Sequence, residues 1–343
     1  MRRVAELSLG RRAAERLTAH GLEDGALPLL PSFRDVPAAA AWCRAHLAAT
    51  TGLVPGSVAA VRTLRYRAGR RCTLRLEFGE GAIRRLYVKL FRPGRFRGVV
   101  RRLGLLPATA PVGLCWPRTV RALESDGALV LDDVPGHSLE GLVAAGGEAT
   151  SVGGRVGAAI AQFHALIPAE RDDRPPWTIQ DEASTLTKFQ PRLLELGTDL
   201  PRSVDCLLEQ ARQSLNHVSF SAPVLLHRDL HPQQILLGEA VGVVDLDNLA
   251  VGPPEIDLGN LIAHIDLFAL HLGQGVEEFK VWRGSVLASY RVHRPLDLAA
   301  VQAVRVVTLV RLAGVYAGAT HLPSLAGRLL EQAERFMARE VAA

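Results

Sequence analysis

The sequence predicts an α+β fold in two parts, a small antiparallel sheet followed by a mainly helical body. Three observations carry that expectation. From Val58 to Leu90, apolar residues alternate with arginine, threonine or lysine at a period of two, as half-exposed antiparallel strands do. Beyond Val152 the period becomes helical, with Val152, Val156, Ile160, Phe163 and Ile167 along one face of a helix that Pro168 ends. Between the two, Ala128 to Gly136 reads as a buried strand stopped by Pro135-Gly136, which sets the boundary near Val134. Residues 1–134 are thus expected to carry the sheet and 135–343 the helices.

Length and composition bound the rest. A chain of 343 residues with 48% hydrophobic residues can bury a sizeable core in two lobes. No uninterrupted apolar run reaches the roughly 18 residues that a bilayer span needs, and Met1 to Glu6 does not open a signal peptide, so a cytoplasmic protein without a membrane partner is expected. Cys43, Cys72, Cys115 and Cys206 are scattered, without metal-knuckle spacing, and read as buried small hydrophobes. A formal charge of +5 and a pI near 9.3 favour anionic ligands. With 5% aromatic residues and no nucleic-acid-binding motif, a nucleotide fits that charge better than nucleic acid does.

The elements follow in order. Val36 to Leu47 has the composition of a short amphipathic helix. The strands around Val61, Leu64 and Tyr66, then Cys72, Leu74 and Leu76, then Leu86, Val88 and Leu90 are separated by turns at Arg67-Ala68-Gly69-Arg70 and Gly79-Glu80-Gly81. A basic segment from Phe91 to Arg102 comes next, and no acid occurs between Lys89 and Glu124. Arg171 to Pro176 is a polar loop, Leu207 to Leu215 a helix, and residues 276–343 read as helical, with Val304 to Ala317 apolar on most sides.

The chemistry concentrates between Leu225 and Ile262. Asp229 follows the apolar pair Leu225 and Leu226, so it projects from a loop at the end of a short strand, with Gln234 five residues on. Ile235 to Leu237 and Val241 to Val244 read as two buried strands joined by a tight turn, a hairpin that delivers Asp245 close to Asp229 and Gln234. Two carboxylates and an amide oxygen suit phosphoryl transfer, which needs a base to orient a hydroxyl and hard oxygen donors for Mg²⁺. Asp247 is a candidate second metal contact, on the same side of an extended segment as Asp245. Asp257, Asn260 and His264 lie at i, i+3 and i+7 on one helical face, where Asn260 and His264 either line a pocket or satisfy buried backbone.

The run His227-Arg228-Asp229-Leu230-His231-Pro232-Gln233-Gln234 resembles the catalytic loop H-x-D-x-x-x-x-N of the aminoglycoside phosphotransferase and choline kinase-like superfamily, which shares the protein-kinase-like fold. Gly252-Pro253-Pro254-Glu255-Ile256-Asp257 is similar to that superfamily's G-D-P-x-x-D segment, without an acid at position 253. The resemblance implies that Asp229 is the catalytic base, that Gln234 and Asp245 hold metal, and that Asp257 braces the loop. It further implies that Lys89 contacts the α- and β-phosphates of ATP, and that the Gly69-Arg70 turn covers the nucleotide. Asp132 to Val134 would form the hinge whose backbone meets adenine. The departure is Gln234, which stands where the superfamily has asparagine and is one methylene longer.

These readings imply an ATP- and Mg²⁺-dependent kinase that phosphorylates a hydroxyl of a small molecule: a sugar, an aminoglycoside, an amino alcohol or a related compound. In the last helices only Glu331, Glu334 and Glu340 are available to a cationic drug, which disfavours an aminoglycoside. The rival is a non-catalytic nucleotide-binding module, suggested by Gln234 and by the lack of a nearby glutamate for Lys89. A protein kinase fits less well, because ten positions from Asp245 to Glu255 leave no room for an activation segment.

Overall fold

A computed structural model of the chain describes residues 24–170, 173–196, 203–317 and 323–341. The sequence readings that fall on 1–23, on Arg171 and Asp172, on 318–322 and on the last two residues, together with the side chain of Glu340, lie outside the described residues. The protein has the bilobal α+β arrangement of the kinase-like fold. The chain divides into one compact unit that includes Cys115–Pro135 and the chain up to Leu103, and a second formed by Gly104–Leu114 and the chain from Gly136 onward.

In the first unit, helix α1 (Val36–Leu47) begins where the Asp35 carboxylate accepts the Ala38 N–H at 2.7 Å. Strands β1 (Val58–Arg67), β2 (Arg71–Phe78), β3 (Arg85–Phe91), β4 (Thr119–Leu123) and β5 (Ala128–Asp132) form one antiparallel sheet in the order β1-β2-β3-β5-β4. The period of two is real: Cys72, Leu74 and Leu76 of β2 and Leu86, Val88 and Leu90 of β3 are buried against α1 residues such as Trp42 and Leu47. The basic segment after β3 becomes helix α2 (Phe96–Leu103), which buries Phe96 and Val99.

The second unit is organised by helices. Among its described residues are α3 (Leu139–Ala144), α4 (Ala149–His164), α5 (Ile179–Ser184), α6 (Gln190–Leu194), α7 (Val204–Ser214), α8 (Glu255–His271), α9 (Lys280–His293), α10 (Leu298–Ala317) and α11 (Pro323–Val341). Short strands β6 (His137–Ser138), β7 (Val224–Leu226), β8 (Ile235–Leu237), β9 (Val241–Val243) and β10 (Ala250–Gly252) make two small antiparallel patches. In these, β8 pairs with both β9 and β6, and β10 pairs with β7.

Three expectations are corrected. Helix α4 stops at His164, and Ile167, expected on its apolar face, lies beyond it and is 84% exposed. Cys43 and Cys72 are buried, with thiols pushed up to about 12 by burial, but Cys115 is half-buried and Cys206 exposed. Helix α10 is long and apolar enough to cross a membrane by length and composition, although Arg305 and Arg311 break its apolar run in the sequence. Within the fold 72% of that stretch is buried, and the helix packs as the core of the second unit against α8 and α11.

One contact in this unit governs the site. Helices α4 and α9 approach so closely that a Cβ on Gly153 would come within 2.7 Å of the Ser285 Cβ, and one on Gly157 would strike the Val286 carbonyl. Only glycine permits that spacing, and it brings His164 at the end of α4 against Tyr290 on α9. Gly157→Ala should therefore force the helices apart and lower the free energy of unfolding by about 1–3 kcal/mol, as overpacking does, measured by urea denaturation.

Candidate active site

Helix α8 starts immediately after β10, and its first turns address the loop between β7 and β8. Asp257 is fully buried. Its two carboxylate oxygens accept the backbone N–H groups of His227 at 2.6 Å and Arg228 at 2.7 Å, and the oxygen bonded to His227 lies 3.1 Å from His164 Nε2. His164 Nδ1 is 3.0 Å from the Tyr290 hydroxyl. Burial alone would raise the Asp257 carboxyl, but the hydrogen bond and charge of His164, with His227, outweigh it and hold the group below the ordinary carboxylate range. An ionised carboxylate thus fixes the backbone where the loop leaves β7.

One turn along α8, Asn260 donates from Nδ2 to the Leu230 carbonyl at 2.7 Å. One turn further, the His264 ring stacks on His231 with centroids 5.2 Å apart, while His264 Nδ1 lies 2.8 Å from the Asn260 carbonyl. The residues expected on one helical face therefore all meet the loop. Asn260 satisfies buried backbone, the second of the two alternatives left open for it.

Arg228 (φ 67°) and Asp245 (φ 63°) are the only non-glycine residues with positive φ among those described. Each such conformation costs on the order of 1 kcal/mol and persists only where the surroundings impose it. Arg228 is held by Asp257 through its N–H and lies over the Trp177 ring, with the guanidinium carbon 3.3 Å from the centroid. Its left-handed turn sets the direction from which Asp229 departs. Asp245 is placed by the β8–β9 hairpin, whose register pairs Val243 with Ile235 and brings the Val244 N–H to the Gln234 carbonyl at 3.0 Å.

The fully buried ring of His227 joins the two motifs. Its Nδ1 accepts the Asp229 N–H at 3.3 Å, which makes Nε2 the protonated nitrogen, and that nitrogen donates to the Val244 carbonyl at 2.9 Å. The backbone of Asp229 is thereby tied to the residue preceding Asp245.

Gln234 and Asp245 come together, with Gln234 Nε2 3.4 Å from Asp245 Oδ2. The Gln234 side chain is 4% exposed and its Oε1 has no hydrogen-bond partner, an arrangement that costs about 1–3 kcal/mol unless something else satisfies the oxygen. A hard oxygen acceptor buried without a donor, beside a carboxylate, fits a divalent cation. Among the described residues no three His, Cys, Asp or Glu side chains cluster as a metal site, so a metal here depends on the amide. The expectation for Asp247 rested on an extended segment, but after the left-handed Asp245 the chain makes a 3₁₀ turn over Leu246–Asn248. The two aspartates therefore do not share a side by strand geometry, and Asp247 is 1% exposed. From that turn the chain passes through β10 directly into α8, so nothing like an activation segment intervenes.

The remaining sequence-predicted residues belong to the first unit. Lys89, 7% exposed, sits on β3 between Thr73 of β2 and Leu129 of β5. Gly69 (φ 66°) turns β1 into β2 and donates its N–H to Asp24 Oδ2 at 2.8 Å, and the N–H of the exposed Arg70 bonds the Arg67 carbonyl. At the end of β5, Asp132 is committed to Arg118, accepting its N–H at 2.6 Å and its Nε at 2.8 Å, and Val134 is buried.

Sequence reasoning missed several contributors. Tyr290 carries no motif and is found only by the α4–α9 contact. Glu255, fully buried, accepts the N–H and hydroxyl of Ser221 and the N–H of Asp297, anchoring the start of α8 to the chain ahead of β7 and to the start of α10. Arg311 on α10 donates from Nη2 to Asn260 Oδ1.

The chain matches the phosphotransferase enzyme family over residues 63–296 and belongs to that family. Its fold is that of solved relatives of low identity. Choline kinase from Cryptosporidium parvum aligns at 10% identity over 88% of this chain and 95% of its own, with a TM-score of 0.58. A choline/ethanolamine kinase family protein from Mesorhizobium loti aligns at 14% identity over 87% and 94%, with a TM-score of 0.54. A thermostable mutant of an aminoglycoside phosphotransferase aligns at 13% identity over 84% and 97%, with a TM-score of 0.53. No curated protein matches the chain.

A depressed carboxylate contributes stability that is present above its unfolded value and is lost as pH falls through its folded value. Asp257→Asn should thus destabilise the protein by about 3 kcal/mol at pH 7. The gap from the parent should narrow below about pH 4, as read by denaturant titrations across pH.

Proposed function

We propose that the protein transfers the γ-phosphoryl group of ATP to a hydroxyl of a small molecule. The observation that carries this reading is the His227 ring, which ties the backbone of Asp229 to Val244 and so makes one rigid unit of the loop bearing the base and the turn bearing Asp245. Phosphoryl transfer is mostly positioning and charge stabilisation, and such a unit supplies positioning.

In this reading Asp229 accepts the hydroxyl proton as the acceptor oxygen attacks phosphorus and ADP leaves. Gln234 Oε1 and the Asp245 carboxylate hold Mg²⁺, which when bound neutralises phosphate charge. Asp247, buried in the 3₁₀ turn that follows Asp245, is the candidate second metal contact. Lys89 anchors the α- and β-phosphates, the Gly69-Arg70 turn covers them, and the hinge contact to adenine falls to Val134, since the N–H of Asp132 already bonds the Arg118 carbonyl. Residues 1–134 act as the nucleotide lobe and 135–343 as the catalytic lobe, and a cytoplasmic setting supplies the ATP.

The non-catalytic reading has one observation in its favour: Glu124, the first acid after Lys89, is paired with Arg97. Turnover separates the two. Asp229→Asn should leave Mg²⁺-ADP binding intact by calorimetry and lower ATP consumption against an alcohol panel by about 10²-fold or more. Equal turnover in both proteins would refute the role of Asp229.

Gln234 gives a test that needs no acceptor. Gln234→Leu removes the orphaned oxygen, so in EDTA the variant should unfold within about 1 kcal/mol of the parent. The extra thermal stabilisation that Mg²⁺ adds to ADP should largely vanish in the variant, whereas Gln234→Asn should keep much of it.

A further inference from the structure

Arg311 is a half-buried guanidinium linked to the loop of Asp229 through Asn260, which bonds the Leu230 carbonyl. Among the described residues it forms no ion pair, its hydrogen bond goes to the neutral amide oxygen of Asn260, and its Nε is buried without a partner. Its neighbours are also basic. His264 is held well below the ordinary histidine range by burial first, then by the charges of His231 and Arg311.

The carboxylates of helix α8, which carries Asn260 and His264, are engaged elsewhere. Asp257 is taken by the backbone of residues 227 and 228, Asp266 by Arg283 at 2.9 Å and Arg305 at 2.6 Å, and Glu255 by Ser221 and Asp297. Glu140 has its carboxyl raised by burial, opposed by a hydrogen bond from Gln233. A guanidinium whose Nε is buried and unpaired bears a desolvation cost that an anionic ligand would offset. The position fits a ligand, because Asn260 bonds the Leu230 carbonyl and His264 stacks on His231, the two residues that follow Asp229.

We propose that Arg311, flanked by His264 and His231, is a subsite for an anionic group of the acceptor, a carboxylate or a phosphate, so that the phosphorylated alcohol belongs to an acidic small molecule. The planar guanidinium suits two-point binding of either oxyanion. This assignment rests on the phosphotransferase reading, and it separates the acceptor from cationic amino alcohols and aminoglycosides.

Three probes on one skeleton test it: glycerol, glycerate and glycerol 3-phosphate, titrated by calorimetry into the full chain saturated with Mg²⁺ and ADP. At least one charged probe should bind about ten-fold or more tightly than glycerol, the scale of one charge-assisted bidentate contact, and the one that does so distinguishes carboxylate from phosphate. In Arg311→Met that advantage should fall below about two-fold while ADP affinity is unchanged, and Arg311→Lys should keep part of it. Charged probes that bind no better than glycerol, or an advantage that survives Arg311→Met, would overturn the proposal. If Arg311→Met does not fold, the parent titration and Arg311→Lys decide the matter: full retention of the advantage at high salt in both would assign it elsewhere. Failure of the parent to bind ADP would sink the phosphotransferase reading instead, and glycerate titrated without nucleotide would still report on the subsite.

Discussion

The Asp257 carboxylate is the interaction on which the site depends. It takes two consecutive backbone N–H groups at the point where the chain turns out of β7, and a buried histidine keeps it ionised. Without an acceptor there, the N–H groups of His227 and Arg228 would be unpaired in the interior, and nothing would offset the left-handed conformation at Arg228. Removing that strain would rotate the loop, and Asp229 would leave from a different direction.

The clamp depends in turn on helix packing. The Gly153 and Gly157 face lets α4 and α9 approach closely enough for His164 to reach both Asp257 and Tyr290. Successive turns of α8 then present Asp257, Asn260 and His264 to successive parts of the loop. One rigid helix therefore sets the backbone, the carbonyl of Leu230 and the ring of His231 together. That is how a loop with little regular structure acquires a fixed shape.

Gln234 is one methylene longer than the asparagine of the catalytic-loop pattern that its stretch resembles, and the structure accommodates it. Its amide turns its N–H toward Asp245 and leaves the oxygen buried and unpaired, a local defect in the protein alone that a hard cation would remove. Strain at Asp245 and an unsatisfied acceptor at Gln234 lie within one short hairpin, and both are the kind of local cost that folds carry at binding sites.

The sequence by itself determined the sheet, the helical body and the two acidic motifs, because each is written in local periodicity or in short spacings. Residues 58–90 alternate on one sheet face, and Gln234 and Asp245 are brought together by a hairpin only a few residues long. The spacing of Asp257, Asn260 and His264 likewise put them on one face before their partners were known. Only the tertiary structure decided what lies across that face. Tyr290 is 126 residues from His164 and Arg311 is 51 from Asn260, and no local pattern encodes such contacts. The same holds for Asp247, where strand spacing placed it beside Asp245. A left-handed residue followed by a 3₁₀ turn replaces the extended segment there, so the period of two does not describe it.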